Sequence, residues 1–135
     1  MDTNTLLACG ALSFCLPVED VIETNRKMIG AQHVLLDRGK LEGALGRPMH
    51  TFDGQLLIPA FMARAATLLD GLVSAHAFGD GNKRTAWISS MIYLGAFGAT
   101  ISNAAQAEAA DFVEAVALHQ YDVAGITTWF GDRLI

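Results

Sequence analysis

The sequence predicts an all-α fold, a bundle of about six helices with a small β-hairpin flap. Apolar residues recur at helical spacing through most of the chain. One Asp-Gly pair between short apolar flanks is typical of a hairpin turn. No repeat, linker or low-complexity run divides the 135 residues, so we expect residues 1–135 to form a single domain.

The elements follow in order from the N-terminus. Residues 5–16 are compatible with either a strand or a short helix. Pro17 then stands at a favourable first helical position, and Glu19 and Asp20 suit the positive end of a helix dipole. An apolar stripe carries this helix to about Ile29.

A short helix and a hairpin come next. Asp37 is expected to cap a helix that carries Leu41 and Leu45 on one face. Asp53 and Gly54 predict the turn of a two-stranded hairpin. A lone hairpin is marginally stable, so we expect it to be a surface flap.

Four helices complete the bundle. Pro59 is expected to open the strongest helix, whose apolar residues recur at helical spacing as far as Ala75. Residues 86–97 are apolar nearly all round, which predicts a central, buried helix. Asn103 is expected to cap a helix that ends at about His119, and Asp122 to cap the last one.

Composition restricts the function. Hydrophobic residues make up 52% of the chain and the mean hydropathy is +0.33, which indicates a generous core or an apolar surface that meets a partner. The net charge of −5 disfavours binding to nucleic acid. The apolar residues 6–18 are too few to span a bilayer, so we expect a cytoplasmic protein without a membrane partner. Cys9 and Cys15 lack zinc-site spacing and are expected to be small buried side chains.

The polar chemistry is concentrated in HAFGDGNKRTA, residues 76–86, between two long helices. Gly81 and Asn82 stand where a helix starts, and unpaired backbone N–H groups and the helix dipole favour an anion there. Lys83 and Arg84 add positive charge and donors suited to phosphate oxygens. Phe78 is expected to anchor this loop in the core.

Two further side chains complete a reactive set. A carboxylate at Asp80, beside a phosphate site, requires a cation, and Mg²⁺ fits because it needs few protein ligands. His76 is a natural general base near neutral pH. Each residue taken alone could be an inert loop or capping residue, but together they describe phosphoryl or nucleotidyl transfer to a hydroxyl.

HAFGDGNKRTA resembles the signature of the Fic/Doc family, His-x-Phe-x-(Asp/Asn/Glu)-(Gly/Ala)-Asn-(Lys/Gly)-Arg. The lysine at position 83, directly after the asparagine, resembles the Doc branch of the family, which contains the death-on-curing toxins of addiction modules. The typical Fic enzyme has glycine at this position. Trp87 replaces a second arginine of Fic enzymes, and Ala77 replaces their usual proline. The similarity extends over roughly residues 17–101, including DRGKLEGALGRP and the hairpin.

The resemblance implies a role for each matching position. His76 would take the proton of a target hydroxyl, Asp80 would hold Mg²⁺, and Arg84 would complete the catalytic set. The nucleotide phosphates would be bound by Gly81, Asn82, Lys83 and Arg84. The flap would clamp a target segment by strand addition through Met49, His50, Thr51 and Phe52.

The resemblance also implies an activity. In the Doc branch the terminal phosphate of a nucleoside triphosphate such as ATP moves to a threonine of translation elongation factor Tu, which inhibits translation. Fic enzymes transfer AMP instead. The missing arginine at Trp87 favours phosphate transfer, with AMP transfer and a catalytically inactive binding module as alternatives.

Inhibition is expected to come from a separate antitoxin. Glu42 and Gly43 match the end of the family's inhibitory Ser/Thr-x-x-x-Glu-Gly helix, but Arg38 stands at the Ser/Thr position. We therefore interpret the partial match as coincidental.

Overall fold

A computed structural model describes residues 14–135, which form six α-helices and one two-stranded antiparallel hairpin. The elements are α1 (Val18–Ile29), α2 (Arg38–Gly46), β1 (Thr51–Phe52), β2 (Gln55–Leu56), α3 (Phe61–Ala75), α4 (Asn82–Ala96), α5 (Asn103–Ala117) and α6 (Val123–Asp132). The predicted all-α bundle with a hairpin flap is confirmed. Most of the element predicted at residues 5–16 lies outside the described residues, as does Cys9.

Helix α3 lies at the centre and packs against α2, α4, α5 and α6. Its fully buried Leu68 and Leu69 join a continuous apolar core that also contains Cys15, as expected for that residue. The helix begins at Phe61 rather than at Pro59, because the backbone of Ala60 is still extended (φ −84°, ψ 127°). Within residues 14–135, no helix combines the length and apolar character needed to cross a membrane.

Two of the three predicted side-chain caps are confirmed. Asp37 accepts a hydrogen bond from the backbone N–H of Lys40 at 3.0 Å, and Asp122 accepts one from that of Gly125 at 2.7 Å. The cap of α5 was assigned wrongly, since Ser102, not Asn103, accepts from the N–H of Ala105.

The expectation that α4 is buried all round is wrong in part. The helix is central, packed against α1, α3 and α5, but its buried face carries the polar Thr85, Ser89 and Ser90. Its apolar Ile88 and Met91 are instead half-buried. Small side chains let neighbouring helices approach, and the hydroxyl of Ser90 is satisfied within the helix by the carbonyl of Ala86 at 2.8 Å.

A buried arginine holds the base of the flap. Arg64 on α3 is 7% exposed and donates to the carbonyls of Ile58 at 2.9 Å and Pro59 at 2.7 Å, just after β2. Its Nε donates to the hydroxyl of Tyr93 at 2.8 Å. Burial raises the pKa of Tyr93 to about 12, so this hydroxyl stays neutral and available.

Candidate active site

The candidate site lies in the loop between α3 and α4. Helix α3 ends at Ala75 and is followed by His76, whose backbone is left-handed (φ 46°, ψ 47°) and whose side chain is exposed. Ala77 and Phe78 then turn inwards and are 2% and 3% exposed. Phe78 is thus the core anchor predicted for the loop, and it leaves His76 and Asp80 on the surface on either side of it.

The side chain of Asn82 closes this loop. Its Oδ1 accepts from the backbone N–H of Phe78 at 3.0 Å, and its Nδ2 donates to the carbonyl of Phe78 at 2.8 Å. Because both ends of the amide are used within the loop, this side chain shapes the site. Any contact between Asn82 and a phosphate would have to be made by the backbone N–H of Asn82.

The start of α4 presents a set of donors. The N–H groups of Asn82, Lys83 and Arg84 have no acceptor in the described part of the chain, whereas the N–H of Thr85 donates to the carbonyl of Gly81 at 2.9 Å. Such groups, with the helix dipole behind them, favour an anion.

Gly81 is required at this turn for two reasons. Its backbone is left-handed (φ 76°, ψ 17°), a conformation that costs energy for any residue with a Cβ. A Cβ at this position would also lie 2.8 Å from Cδ1 of Ile29, 3.0 Å from Cε of Met28 and 3.2 Å from Nδ2 of Asn25. Helix α1 therefore lies directly against the turn.

Asp80 provides the carboxylate of the site. The side chain is exposed, and Oδ1 accepts from the N–H of Gly81 at 2.7 Å. Over residues 14–135, no three His, Cys, Asp or Glu side chains converge into a metal cage. A single carboxylate fits Mg²⁺, which keeps water and takes phosphate oxygens as its other ligands, so the site suits the ion together with a nucleotide.

A groove of about 490 Å³ begins beside the first turn of α4 and runs between α4 and α5. Lys83 and Arg84 line it, and Nζ of Lys83 lies 2.8 Å from Oε2 of Glu114 on α5. Arg84 forms no ion pair within the described chain, so its guanidinium is available to a ligand.

Trp87 forms an aromatic wall of the groove. Its ring meets Phe112 and Trp129 edge-on, with centroid distances of 6.4 and 6.0 Å, and Nε1 donates to Oε1 of Gln106 at 3.2 Å. Trp87, which stands where the resemblance places the second arginine of Fic enzymes, is therefore part of the packing of α4 against α5 and α6. It brings no charge into the groove.

The flap has an exposed tip and a buried base. Thr51 pairs with Leu56 and Phe52 with Gln55, and Phe52 is 75% exposed. His50 is exposed as well, but Met49 is only 8% exposed and packs in the core. The side chain of Met49 is therefore part of the base of the flap, whereas strand addition of a target along Met49 to Phe52, a main-chain mode, stays a prediction.

Two segments that were not predicted as part of the site support the loop. Residues 33–37 run extended beside it, with Leu36 N–H donating to Ala77 at 2.7 Å and Gly79 N–H to Val34 at 2.9 Å. On α1, Asn25 is fully buried and bonded to the loop. An amide on the apolar stripe of α1 was a signal that could have identified it.

Comparisons with known proteins cover the same region. Residues 15–94 match the model of the Fic/DOC family. Toxin Doc of Mycolicibacterium smegmatis is 38% identical over 76 residues, which represent 56% of this chain and 58% of that protein. The chain thus spans less than two thirds of the length of this relative. The family match contains the flap, the loop and most of α4, but neither α5 nor α6.

Proposed function

Because the chain belongs to the Fic/Doc family, with its similarity on the Doc side, we propose that it is a Doc-like toxin that acts as a protein kinase. It would transfer the terminal phosphate of a nucleoside triphosphate, such as ATP, to a Thr or Ser hydroxyl of a target protein. The observation that carries this proposal is the start of α4, where the N–H groups of residues 82–84 have no acceptor within residues 14–135 and follow the exposed His76 and Asp80 in the loop.

The phosphates would bind at the first turn of α4. The N–H groups of residues 82–84 supply fixed donors, and Arg84 supplies a planar fork that suits phosphate oxygens. Lys83 can join them at small cost, because the side chains of its ion pair with Glu114 are 48% and 53% exposed. Exposed pairs of this kind contribute only about 0–1 kcal/mol.

His76 would act as the general base. Its ring is exposed at the end of α3, so a hydroxyl of a docked protein can reach it, and it would take the proton as the hydroxyl oxygen attacks the phosphorus. Asp80 would hold Mg²⁺, which supplies charge neutralisation on the phosphate oxygens.

Trp87 supports phosphate transfer over AMP transfer. By family resemblance, AMP transfer would use a second arginine at this position to hold the phosphates. Here the position is aromatic, and its ring is packed against α5 and α6. Without this charge, the nucleotide is held chiefly at the start of α4.

The target would bind through the flap. The exposed Thr51 and Phe52 offer a short strand to which an extended target segment could add. By family resemblance we propose translation elongation factor Tu as the target and inhibition of translation as the consequence.

An antitoxin would inhibit the enzyme in trans. Glu42, the glutamate of the partial inhibitory motif, already accepts a hydrogen bond from Arg38 on α2 at 2.9 Å. This pairing favours inhibition by a separate protein over inhibition by Glu42. Exposed apolar side chains near the loop, such as Val34 and Leu36 at 50% and 64%, are suitable for a partner.

Labelled ATP tests the proposal. Purified protein, Mg²⁺ and elongation factor Tu are incubated with ATP labelled at either the γ or the α phosphate. We expect transfer of the γ label only, lost in His76→Ala and retained in His119→Ala. His119 is a matched control because it is also exposed and left-handed (φ 60°) but lies between α5 and α6.

The other outcomes discriminate between functions. Transfer of the α label would indicate AMP transfer and refute the kinase proposal. No label on the factor or on any protein of a translation extract, despite binding of Mg·ATP, would indicate a catalytically inactive module.

A further inference from the structure

We infer that Asn25 is a positioning residue of the candidate active site, which sets the Asp80–Gly81 turn and the first turn of α4 through its buried amide. The inference rests on the proposed function only in that this turn is where phosphate and Mg²⁺ would bind. Asn25 touches neither, because it acts through the backbone of Asp80 and the hydroxyl of Thr85.

The hydrogen bonds of Asn25 determine its orientation. The side chain is 0% exposed, and Nδ2 lies 2.9 Å from the carbonyl oxygen of Asp80 and 3.0 Å from Oγ1 of Thr85. A carbonyl oxygen can only accept, so the nitrogen must face it. Oδ1 then faces Nδ1 of His33 at 2.7 Å, and that ring nitrogen must be the one that carries a hydrogen.

These contacts span the helix start. Asp80 precedes the left-handed Gly81, and Thr85 contributes the first N–H that is bonded back to Gly81. One amide therefore bridges both ends of the segment that carries the N–H groups of residues 82–84, which have no acceptor within residues 14–135. The carbonyl of Asp80 cannot rotate without losing this bond, so the direction of the Asp80–Gly81 peptide group is held, and the N–H of that same group donates to Oδ1 of Asp80.

Asn25 also connects the turn to two other segments. It is part of α1, and through His33 it reaches the extended residues 33–37, whose backbone bonds to residues 77–79. Within residues 14–135, every buried side-chain nitrogen and oxygen has a hydrogen-bond partner. Removal of the amide would leave the buried Thr85 hydroxyl, the part-buried Asp80 carbonyl and the part-buried His33 ring each short of a partner.

The first experiment uses the unaltered protein. By NMR, the side-chain amide hydrogens of Asn25 should exchange with solvent far more slowly than those of the exposed Asn103, because both are donated in hydrogen bonds by a side chain that is 0% exposed. Equally fast exchange at the two amides would overturn the inference, and no variant has to fold for this test.

The second experiment separates positioning from stability. Asn25→Ala is compared with Ile22→Ala, a substitution on the same helix at a side chain that is 4% exposed and makes no hydrogen bond to the loop. Hydrogen exchange is measured at denaturant concentrations where the two variants have equal global stability. The hydrogen-bonded backbone N–H groups of Phe78, Gly79 and Thr85 should exchange about tenfold faster in Asn25→Ala than in Ile22→Ala. Equal exchange would assign Asn25 a purely structural role and overturn the inference.

Nucleotide binding gives a third measurement. At equal global stability, we expect Mg·ATP to bind Asn25→Ala about tenfold more weakly than Ile22→Ala by calorimetry. Equal affinities would count against positioning. If the wild-type protein transfers no phosphate but the exchange results hold, the proposed function fails and the inference about Asn25 stands. If phosphate is transferred and Asn25→Ala behaves as Ile22→Ala, the proposed function stands and the inference about Asn25 fails.

Discussion

Gly81→Ala should be unusually destabilising for a loop substitution. The φ of 76° at this position is left-handed, and an alanine there costs about 1–2 kcal/mol. The added Cβ would also lie 2.8 Å from Cδ1 of Ile29 and 3.0 Å from Cε of Met28, side-chain ends that can move. It would lie 3.2 Å from Nδ2 of Asn25, which cannot move without losing its hydrogen bonds. Overpacking of this kind costs a further 1–3 kcal/mol or so.

The expected total is about 2–5 kcal/mol in the free energy of unfolding. Gly98→Ala is the matched control, because Gly98 has a φ of 78° but no atom within 4 Å of an added Cβ. It should lose only the conformational part, about 1–2 kcal/mol. Urea denaturation of the three proteins, with a common m-value, measures both losses.

The difference between the two alanine variants isolates the contact with α1. We also expect Gly81→Ala to weaken Mg·ATP binding, since the start of α4 must shift, whereas Gly98→Ala should bind normally. Equal destabilisation of the two variants would refute the argument that close packing against α1 demands glycine at position 81.

Three further predictions test individual contacts. Ser102→Ala should cost about 1 kcal/mol of unfolding free energy and Asn103→Ala less than about 0.5, and equal losses in urea would contradict the cap of α5. The pKa of Tyr93 is raised to about 12 from an unfolded value near 10, so its contribution is complete below about pH 10. Roughly 2 kcal/mol of stability should be lost as the pH rises to about 12, and denaturation of Tyr93→Phe across that range should lack this loss. Arg64→Met leaves the part-buried carbonyls of Ile58 and Pro59 without a donor and should cost about 2–4 kcal/mol, against less than about 1 for Arg47→Met in an exposed ion pair. Similar small losses in the two variants would show that the flap base does not depend on Arg64.

The sequence by itself determined the features that depend on near neighbours. Asp37 and Asp122 cap helices through bonds to residues three positions on, and Asp53-Gly54 turns the flap within one hairpin. The loop motif was readable for the same reason, since its chemistry is contained in eleven successive residues, 76–86. Even the error at Ser102 was a shift by a single position.

Only the tertiary structure decided which surfaces meet. The polar face of α4 is buried because α1 and α3 pack closely on it, and Met49 joins the core although it borders the flap. Asn25 reaches Asp80 across 55 positions, a contact that exists only once α1 lies against the turn. Hydrophobic periodicity predicts that a helix has a buried face, but it carries no information about which element covers that face. The chemical groups of the candidate site are therefore local in the sequence, whereas the support that holds them comes from distant parts of the chain.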